Sequence, residues 1–393
     1  MRSVTVVGAS LAGWSAVRRL RAEGYDGSLT VVGAERHEPY DRPPLSKEFL
    51  RGGMDADALA LATAEEYQDL DARWLLGRCA LRLDPHDRTL HLDDGREIRT
   101  DAVVIATGAV PRRIPGGDRL RGIHTLRTLD DAEALRADLL TGRPAVVVIG
   151  AGFIGAEVAS TARALGLDVT VVEAAEHPLE RALGREMGSV CSALHGDHGV
   201  RLLCGVGVSG FTGEDRVGGV RLSDGRLLPA DVVVMGVGVS PATGWLAGSG
   251  VEVDDGVVCD SGCATSVPNV VAVGDVASCP DPFTGRRSRI EHWTHATEQP
   301  KTAVRTLLSG SSLAPAAVPP YFWSDQYQVR IQLAGHVGPD DEPRIVEGSV
   351  DDRSFVAVYH RDGHEVAVLG VNQPKLFNRL RRTLLPIPEA ARS

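Results

Sequence analysis

The chain has 393 residues, enough for two or three domains with ample core. Hydrophobic residues make up 43% of it and charged residues 24%, the balance of an ordinary globular enzyme. With 42 basic against 52 acidic residues the net charge is −10, which argues against nucleic acid or an anionic membrane as a general partner. No apolar run approaches the roughly 20 residues that a membrane span needs. A strand that begins by Val4 leaves no room for a signal peptide, so a cytoplasmic protein is expected.

Residues Val4 to Glu35 read as strand, glycine turn, helix, strand and acid. The apolar run Val4 to Val7 meets Gly8 and the turn Gly8-Ala9-Ser10-Leu11-Ala12-Gly13. A helical segment follows, apolar at Leu11, Trp14, Val17 and Leu20 and closed by Gly24; a second strand, Leu29 to Val32, leads to Glu35. This is the order of a dinucleotide-binding βαβ unit. Gly8 permits the tight turn, Gly13 lets the helix approach the strand, and the helix N-terminus offers N–H groups to a pyrophosphate. Ser10 stands where the pattern usually has its second glycine, and Glu35 can accept hydrogen bonds from ribose hydroxyls.

The stretch His37-Glu38-Pro39-Tyr40-Asp41-Arg42-Pro43-Pro44-Leu45-Ser46-Lys47 comes next. Its prolines impose an extended path, and Ser46 reads as a helix N-cap with Lys47 in the first turn. A lysine there opposes the helix dipole, which leaves an anionic neighbour or a plain surface lysine as readings. Residues 55–78 read as helical, before antiparallel strands around the hairpin turn Asp93-Asp94-Gly95. Ala102 to Ala109 is a buried strand running into Thr107-Gly108, where a ligand can approach closely.

A second copy of the first unit occupies Ala145 to Glu173. Gly150, Gly152 and Gly155 complete the glycine pattern, and Gly8, Gly13 and Gly24 map onto Gly150, Gly155 and Gly166 at one offset of 142. Two such units imply two nucleotide cofactors, or one cofactor and one nucleotide substrate. Glu157 falls in the first helical turn of this unit, where an acid is unusual although favoured by the dipole. Glu173 ends the second strand with no arginine in Ala174-Ala175-Glu176-His177, which favours a ribose 2′-hydroxyl over a 2′-phosphate.

Residues 199–234 read as short strands and turns ending in the buried run Val232 to Met235, followed by Gly236-Val237-Gly238-Val239-Ser240-Pro241. Val270 to Asp275 is a strand ending in Gly274-Asp275, and a helix is expected from Thr294 to Leu308 with an irregularity at Pro300. A proline-rich join, Ala314 to Pro320, opens the last segment, with strands at Val329 to Leu333, Phe355 to Tyr359 and Val366 to Val371. Lys375 to Arg382 carries four basic residues and no acid; a docking surface and a solvated helix face explain it equally. The six cysteines (Cys79, Cys191, Cys204, Cys259, Cys263 and Cys279) lack metal spacing and read as reduced structural thiols.

PYDRPPLSKEFL after the first unit, together with FWSDQ at 322–326, resembles the FAD-dependent ferredoxin reductases that serve oxygenases. Disulfide reductases of the same fold carry a redox cysteine near Lys47; here there is none between Met1 and Cys79. The resemblance covers nearly the whole chain and implies an α/β fold: two Rossmann-like dinucleotide-binding domains and a C-terminal α+β domain. It places an FAD domain at 1–112 and 243–316, a nicotinamide domain at 113–242 and the last domain at 317–393.

It further implies FAD contacts at Gly8, Ser10, Leu11, Ala12, Gly13, Glu35, Arg42, Lys47, Ala80, Ala106, Thr107, Gly108, Arg127, Gly274, Asp275, His292 and Trp293. NAD contacts are implied at Gly150, Gly152, Phe153, Ile154, Gly155, Glu157, Glu173 and Gly238. Lys47 pairs with Glu157 beside the flavin in such proteins, and Trp323 closes one flavin face; these three are the catalytic candidates. Ala242 stands where the family usually has asparagine. The implied activity passes electrons from NADH through FAD to an acidic iron–sulfur ferredoxin, and so to an oxygenase. A monomer or weak homodimer is expected, without metal, nucleic acid or membrane. Two other readings stay open: reduction of a small acceptor such as monodehydroascorbate or a quinone, and an NADH-responsive binding protein like apoptosis-inducing factor.

Overall fold

Runs of valine and isoleucine that are buried on both faces build parallel sheets, and this chain forms two of them. The computed structural model describes residues 1–313 and 318–386. The first sheet runs Val270–Ala272, Ala102–Ile105, Ser3–Val7, Ser28–Gly33, Ala72–Leu76, with every pairing parallel. The second runs Arg201–Leu203, Asp168–Val172, Ala145–Ile149, Val232–Met235, Ile123–His124, also all parallel. Each places its glycine-led strand at the centre, with the helix of its βαβ unit springing from that strand's carboxyl end. This is where ligands bind in open α/β sheets.

The first sheet takes strands from both ends of the sequence, because Val270–Ala272 returns beside Ala102–Ile105. Exit and re-entry pair as a short antiparallel ribbon, Ala109–Pro111 against Val239–Pro241. The last segment is a five-stranded antiparallel sheet, ordered Tyr321–Gln326, Val329–Gly335, His364–Val371, Ser354–Arg361, Glu342–Ser349, with helix Pro374–Leu380 after it. It shares one core with the second unit: Val146, Val158 and Leu183 join Ile331, Phe355 and Tyr359 in a single buried cluster. Among the described residues no helix is long and apolar enough to cross a membrane.

Several local expectations change. Ser46 caps no helix: it ends the 3-10 turn Pro43–Ser46, and the helix that follows, Glu48–Arg51, has Lys47 at its N-cap with no side-chain cap. Residues 55–78 are not one helix but a 3-10 turn, Ala56–Leu59, a capped helix Ala64–Asp69, and the sheet strand Ala72–Leu76. Trp74 and Leu75, both half-buried, pack against different cores on opposite sides of that strand, as a helix would not allow. The strand from Ala102 stops at Ile105, because Gly108 takes φ +67 and turns the chain. Helix Trp293–Ser309 runs unbroken through Pro300, whose ring is buried. Glu157 is the fifth residue of helix Phe153–Ala164, beyond the first turn, so the dipole is not what holds it. Of the proline-rich join, 314–317 lie outside the described residues, as do 387–393 of the last segment.

His195 ties the second unit to the last sheet: 2% exposed, its Nδ1 shares a 2.7 Å hydrogen bond with the Tyr327 hydroxyl. Burial lowers its pKa from 6.5 to about 4. Between those values the unfolded chain binds a proton that the native chain refuses, so stability falls as pH drops through that window. His195→Gln is expected to flatten the acid side of a plot of Tm against pH, measured by calorimetry; an unchanged slope would show that other groups set it.

Candidate dinucleotide sites and the buried lysine–glutamate pair

Both glycine turns are built alike. Gly8 has φ +117, and a Cβ there would lie 2.0 Å from Ala106 O; a Cβ on Gly13 would lie 1.8 Å from Gly8 O. The second unit repeats this with Gly150 at φ +100, 2.3 Å from Gly236 O, and Gly155, 2.1 Å from Gly150 O. These four glycines pack backbone on backbone. Gly152 differs: a Cβ there meets nothing within 4 Å. It is the N-cap of helix Phe153–Ala164, and Ser10 is that of helix Leu11–Ala22, yet neither helix has a side-chain cap. Helix N–H groups left without a partner form a ready anion site.

The two acids do not correspond. Gly8 N donates to Val32 O and Gly150 N to Val172 O, both at 2.7 Å, which aligns Glu173 with Gly33 and sets Glu35 two residues further on. Glu173 binds its own turn, accepting from Ala151 N at 2.7 Å and Ala175 N at 2.8 Å. Glu35 accepts from the Tyr40 hydroxyl and, at 2.5 Å, from Arg42, whose Nη2 also reaches Ser10 Oγ at 2.7 Å.

A cleft of about 260 Å³ opens between these groups, lined by Gly8, Ser10, Glu35, Arg42, Ala80, Ala106 and Thr107. Ala242 and Trp245 close it from the returning segment, and Thr107 Oγ1 donates to Ala242 O at 2.8 Å. The Ala242 backbone is therefore fixed whatever its side chain. The remaining candidates do not line the cleft themselves. Arg127 is 2.8 Å from Asp275, and its carbonyl accepts from Arg42 at 2.5 Å. A Cβ on Gly274 would lie 2.8 Å from Ala12 Cβ, and one on Gly108 would lie 3.3 Å from Arg127 Nη2. Gly13 is buried and Leu11 is half-buried. Phe153 packs on Phe322 at 4.5 Å, whereas Ile154 is 50% exposed. Gly238, with φ +89, has open space where a Cβ would point.

Lys47 and Glu157 meet: Nζ lies 2.6 Å from Oε2, with side chains 13% and 3% exposed. Ser46 Oγ donates to the same oxygen at 2.5 Å. The other oxygen accepts from Ser324 Oγ at 2.7 Å and Asp325 N at 3.3 Å. Sequence reasoning missed Ser46 and Ser324 although both lie inside the quoted motifs; only the fold shows that the end of a 3-10 turn and one face of a strand meet at Glu157. Along Tyr321–Gln326 alternate residues point oppositely. Phe322 and Ser324 face Phe153 and Glu157. Trp323 instead stacks on Tyr321 (6.0 Å, 22°) and meets Trp293 edge-on at 6.2 Å. Trp293 Nε1 donates to Asp41. Tyr40 was also missed; its buried hydroxyl takes the Leu129 N–H and joins Glu35 to the start of a helix.

His292 is the N-cap of helix Trp293–Ser309, and its Nδ1 is buried without a partner among the described residues. Burial, then the neighbouring His295 and His336, pull its pKa down to about 4, against the opposing charge of Asp275. Uncapped helix ends, glycine cradles and this orphaned nitrogen suit a dinucleotide in the first unit, and the open Gly152 turn suits one in the second.

Residues 2–300 match the pyridine nucleotide-disulphide oxidoreductase family, and residues 321–386 match the reductase C-terminal family. The chain belongs to the pyridine nucleotide-disulphide oxidoreductase family. It is 38% identical to rhodocoxin reductase of Rhodococcus erythropolis, over 97% of this chain and 89% of that protein. It is also 38% identical to the ferredoxin–NAD(+) reductase subunit of a benzene 1,2-dioxygenase system of Pseudomonas putida, over 96% and 92%. The fold superposes on the reductase of a covalent putidaredoxin reductase–putidaredoxin complex with a TM-score of 0.93 and 33% identity, covering 99% of this chain and 95% of that one. All six cysteines of this family member are free thiols, and none precedes Cys79.

Gly152→Ala should leave stability within about 0.5 kcal/mol, because it fills open space at an ordinary φ. It is expected to weaken NADH binding at least tenfold in titration. A loss of stability with intact binding would give Gly152 a packing role instead.

Proposed function

We propose that the chain is an NADH-dependent reductase that passes electrons through bound FAD to a ferredoxin serving an oxygenase. The observation that carries this reading is the Lys47–Glu157 pair, buried where the two nucleotide units and the last sheet meet. Bound FAD would supply the electron chemistry, taking two electrons from NADH as a single hydride and passing them on one at a time to an iron–sulfur centre. The division of labour follows 1–112 with 243–316 for FAD, 113–242 for NADH, and 317–393 as the third domain. We assign the protein to the cytoplasm, as a monomer or weak homodimer.

The protein's part is alignment and charge. Gly8, Ser10 and Gly13 open the first helix end to the FAD pyrophosphate, with Glu35, Arg42, Ala80, Ala106, Thr107 and Gly108 around it. Arg127, Gly274, Asp275, His292 and Trp293 complete that wall. Gly150, Gly152 and Gly155 serve NADH, whose nicotinamide end lies toward Gly238. Glu173 supports NADH over NADPH, since its carboxylate repels a 2′-phosphate. Lys47 holds a positive charge at the junction, and Glu157 holds Lys47.

Electrons leave toward the surface that carries Trp293, Trp323 and Tyr321. Arg381 lies 4.5 Å over the Tyr321 ring. Beyond it Lys375, Arg379 and Arg382 are exposed. That strip opposes the chain's net charge of −10 and suits an acidic ferredoxin.

Lys47→Ala leaves a buried carboxylate without its cation, a change that typically costs about 3–5 kcal/mol. Lys47→Ala/Glu157→Gln is expected to recover much of that stability while flavin reduction by NADH, followed by stopped flow, stays at least tenfold slow. Wild-type kinetics in the stable double variant would exclude the pair from the mechanism. In NADH-driven cytochrome c reduction, an acidic ferredoxin should raise turnover far more than ferricyanide or quinone controls account for. Charge reversal at Lys375 and Arg379 should raise KM for ferredoxin roughly tenfold at low salt and leave ferricyanide reduction unchanged. Equal effects on both acceptors would move the docking surface elsewhere.

A further inference from the structure

Three cysteines converge behind the Gly274-Asp275 turn. Strand Val257–Val258 pairs in parallel with Ala277–Pro280, and the register Val257↔Ala277, Val258↔Ser278 brings Cys259 beside Cys279. Cys259 N donates to Ser278 O at 2.9 Å. Arg287 fastens the two segments together, giving 2.5 Å hydrogen bonds to Cys259 O and Ser278 O. Cys263 enters from the turn after Asp260 with φ +68.

Gln299 Nε2 donates to the Cys279 sulfur at 3.2 Å, while the Cys259 thiol rests on Val257 O at 3.4 Å. The neighbouring Cys259 and Cys263 thiols, helped by the charges of His295 and Arg287, hold Cys279 below the ordinary thiol range against the cost of burial. Cys259 and Cys263 are raised by the neighbouring Cys279 sulfur and by burial, so both keep their protons. Cys259 and Cys263 are 1% and 3% exposed, while Cys279 is partly exposed. A purely structural buried thiol is protonated and inert; a partly exposed thiolate with two thiols in reach has both a nucleophile and a resolving partner.

We propose that Cys259 and Cys279 form a peroxide-responsive dithiol, with Cys263 as its third member, that controls how firmly the Gly274-Asp275 turn is held. The Cys279 thiolate attacks one oxygen of hydrogen peroxide; the O–O bond breaks, leaving a sulfenic acid and a hydroxide that takes a proton to become water. Cys259 sulfur then attacks Cys279 sulfur, the S–O bond breaks, and the thiol proton leaves with the hydroxyl as a second water. Two thiols lose two electrons and one peroxide is reduced to two waters. Neighbouring strands stand about 4.8 Å apart, inside the roughly 4.4–6.8 Å Cα separation a disulfide spans. The link to the turn is Gln299, whose Oε1 accepts from Gly274 N at 2.7 Å while its Nε2 holds the thiolate. Oxidation removes that thiolate and leaves the Gln299 amide anchored at one end only.

The test uses the flavin-loaded chain carrying Cys79→Ser/Cys204→Ser, which leaves four of the six cysteines. Treatment with hydrogen peroxide, then denaturation and alkylation, should leave two titratable thiols and a Cys259–Cys279 cross-linked peptide that dithiothreitol reverses. Flavin loss on ultrafiltration should quicken severalfold in the oxidised form and return on reduction. Adding Cys279→Ser should abolish both changes. Four surviving thiols, a cross-link lacking Cys279, or equal flavin loss in oxidised and reduced forms would overturn the proposal. If the double variant does not fold, the same peptide map and flavin assay on the unaltered chain decide it.

Discussion

A carboxylate that is 2% exposed has to be fully partnered, and the arrangement of this protein follows from how Glu157 meets that demand. Removing an ionised carboxylate from water costs several kcal/mol unless its charge and its lone pairs are both answered. Here one oxygen takes Lys47 and Ser46, and the other takes Ser324 and the Asp325 N–H. The donors come from the proline-rich stretch after the first unit and from the opening strand of the last sheet. The acceptor stands on the helix of the second unit. Three separated parts of the chain are thereby held in one relative position by a single side chain. Thr161 adds a tie from the same helix, donating to Ser46 O at 2.7 Å.

The two nucleotide units show one device used for two ends. In both, a left-handed glycine and a second glycine allow backbone to lie on backbone, which no side chain would tolerate. They differ beyond the strand. Glu173 turns back to close its own glycine turn, whereas the matching Gly33 keeps that position clear: a Cβ there would lie 2.5 Å from Ala9 Cβ. The acid of the first unit moves outward to Glu35, where Tyr40 and Arg42 hold it. A shared sequence pattern thus yields a self-supported turn in one unit and a cleft supported by a neighbouring segment in the other.

Charge is arranged against the average. The chain is acidic overall, yet the four basic residues between Lys375 and Arg382 adjoin the aromatic strip formed by Tyr321, Trp323 and Trp293.

The glycine spacing, the repeat offset of 142 and the strand runs were enough, by themselves, to determine the α/β class and both nucleotide units, because backbone proximity and burial leave direct marks on residue type. The Lys47–Glu157 pair was reached only through resemblance, since no local rule joins residues 110 positions apart. Tertiary structure alone decided that Ser46 donates to Glu157 instead of capping a helix, that Ser324 and not Trp323 faces that glutamate, and that Cys259 and Cys279 lie side by side. Each depends on strand register or on the meeting of distant segments. Sequence periodicity encodes which face of an element is apolar, but not which other element will cover it.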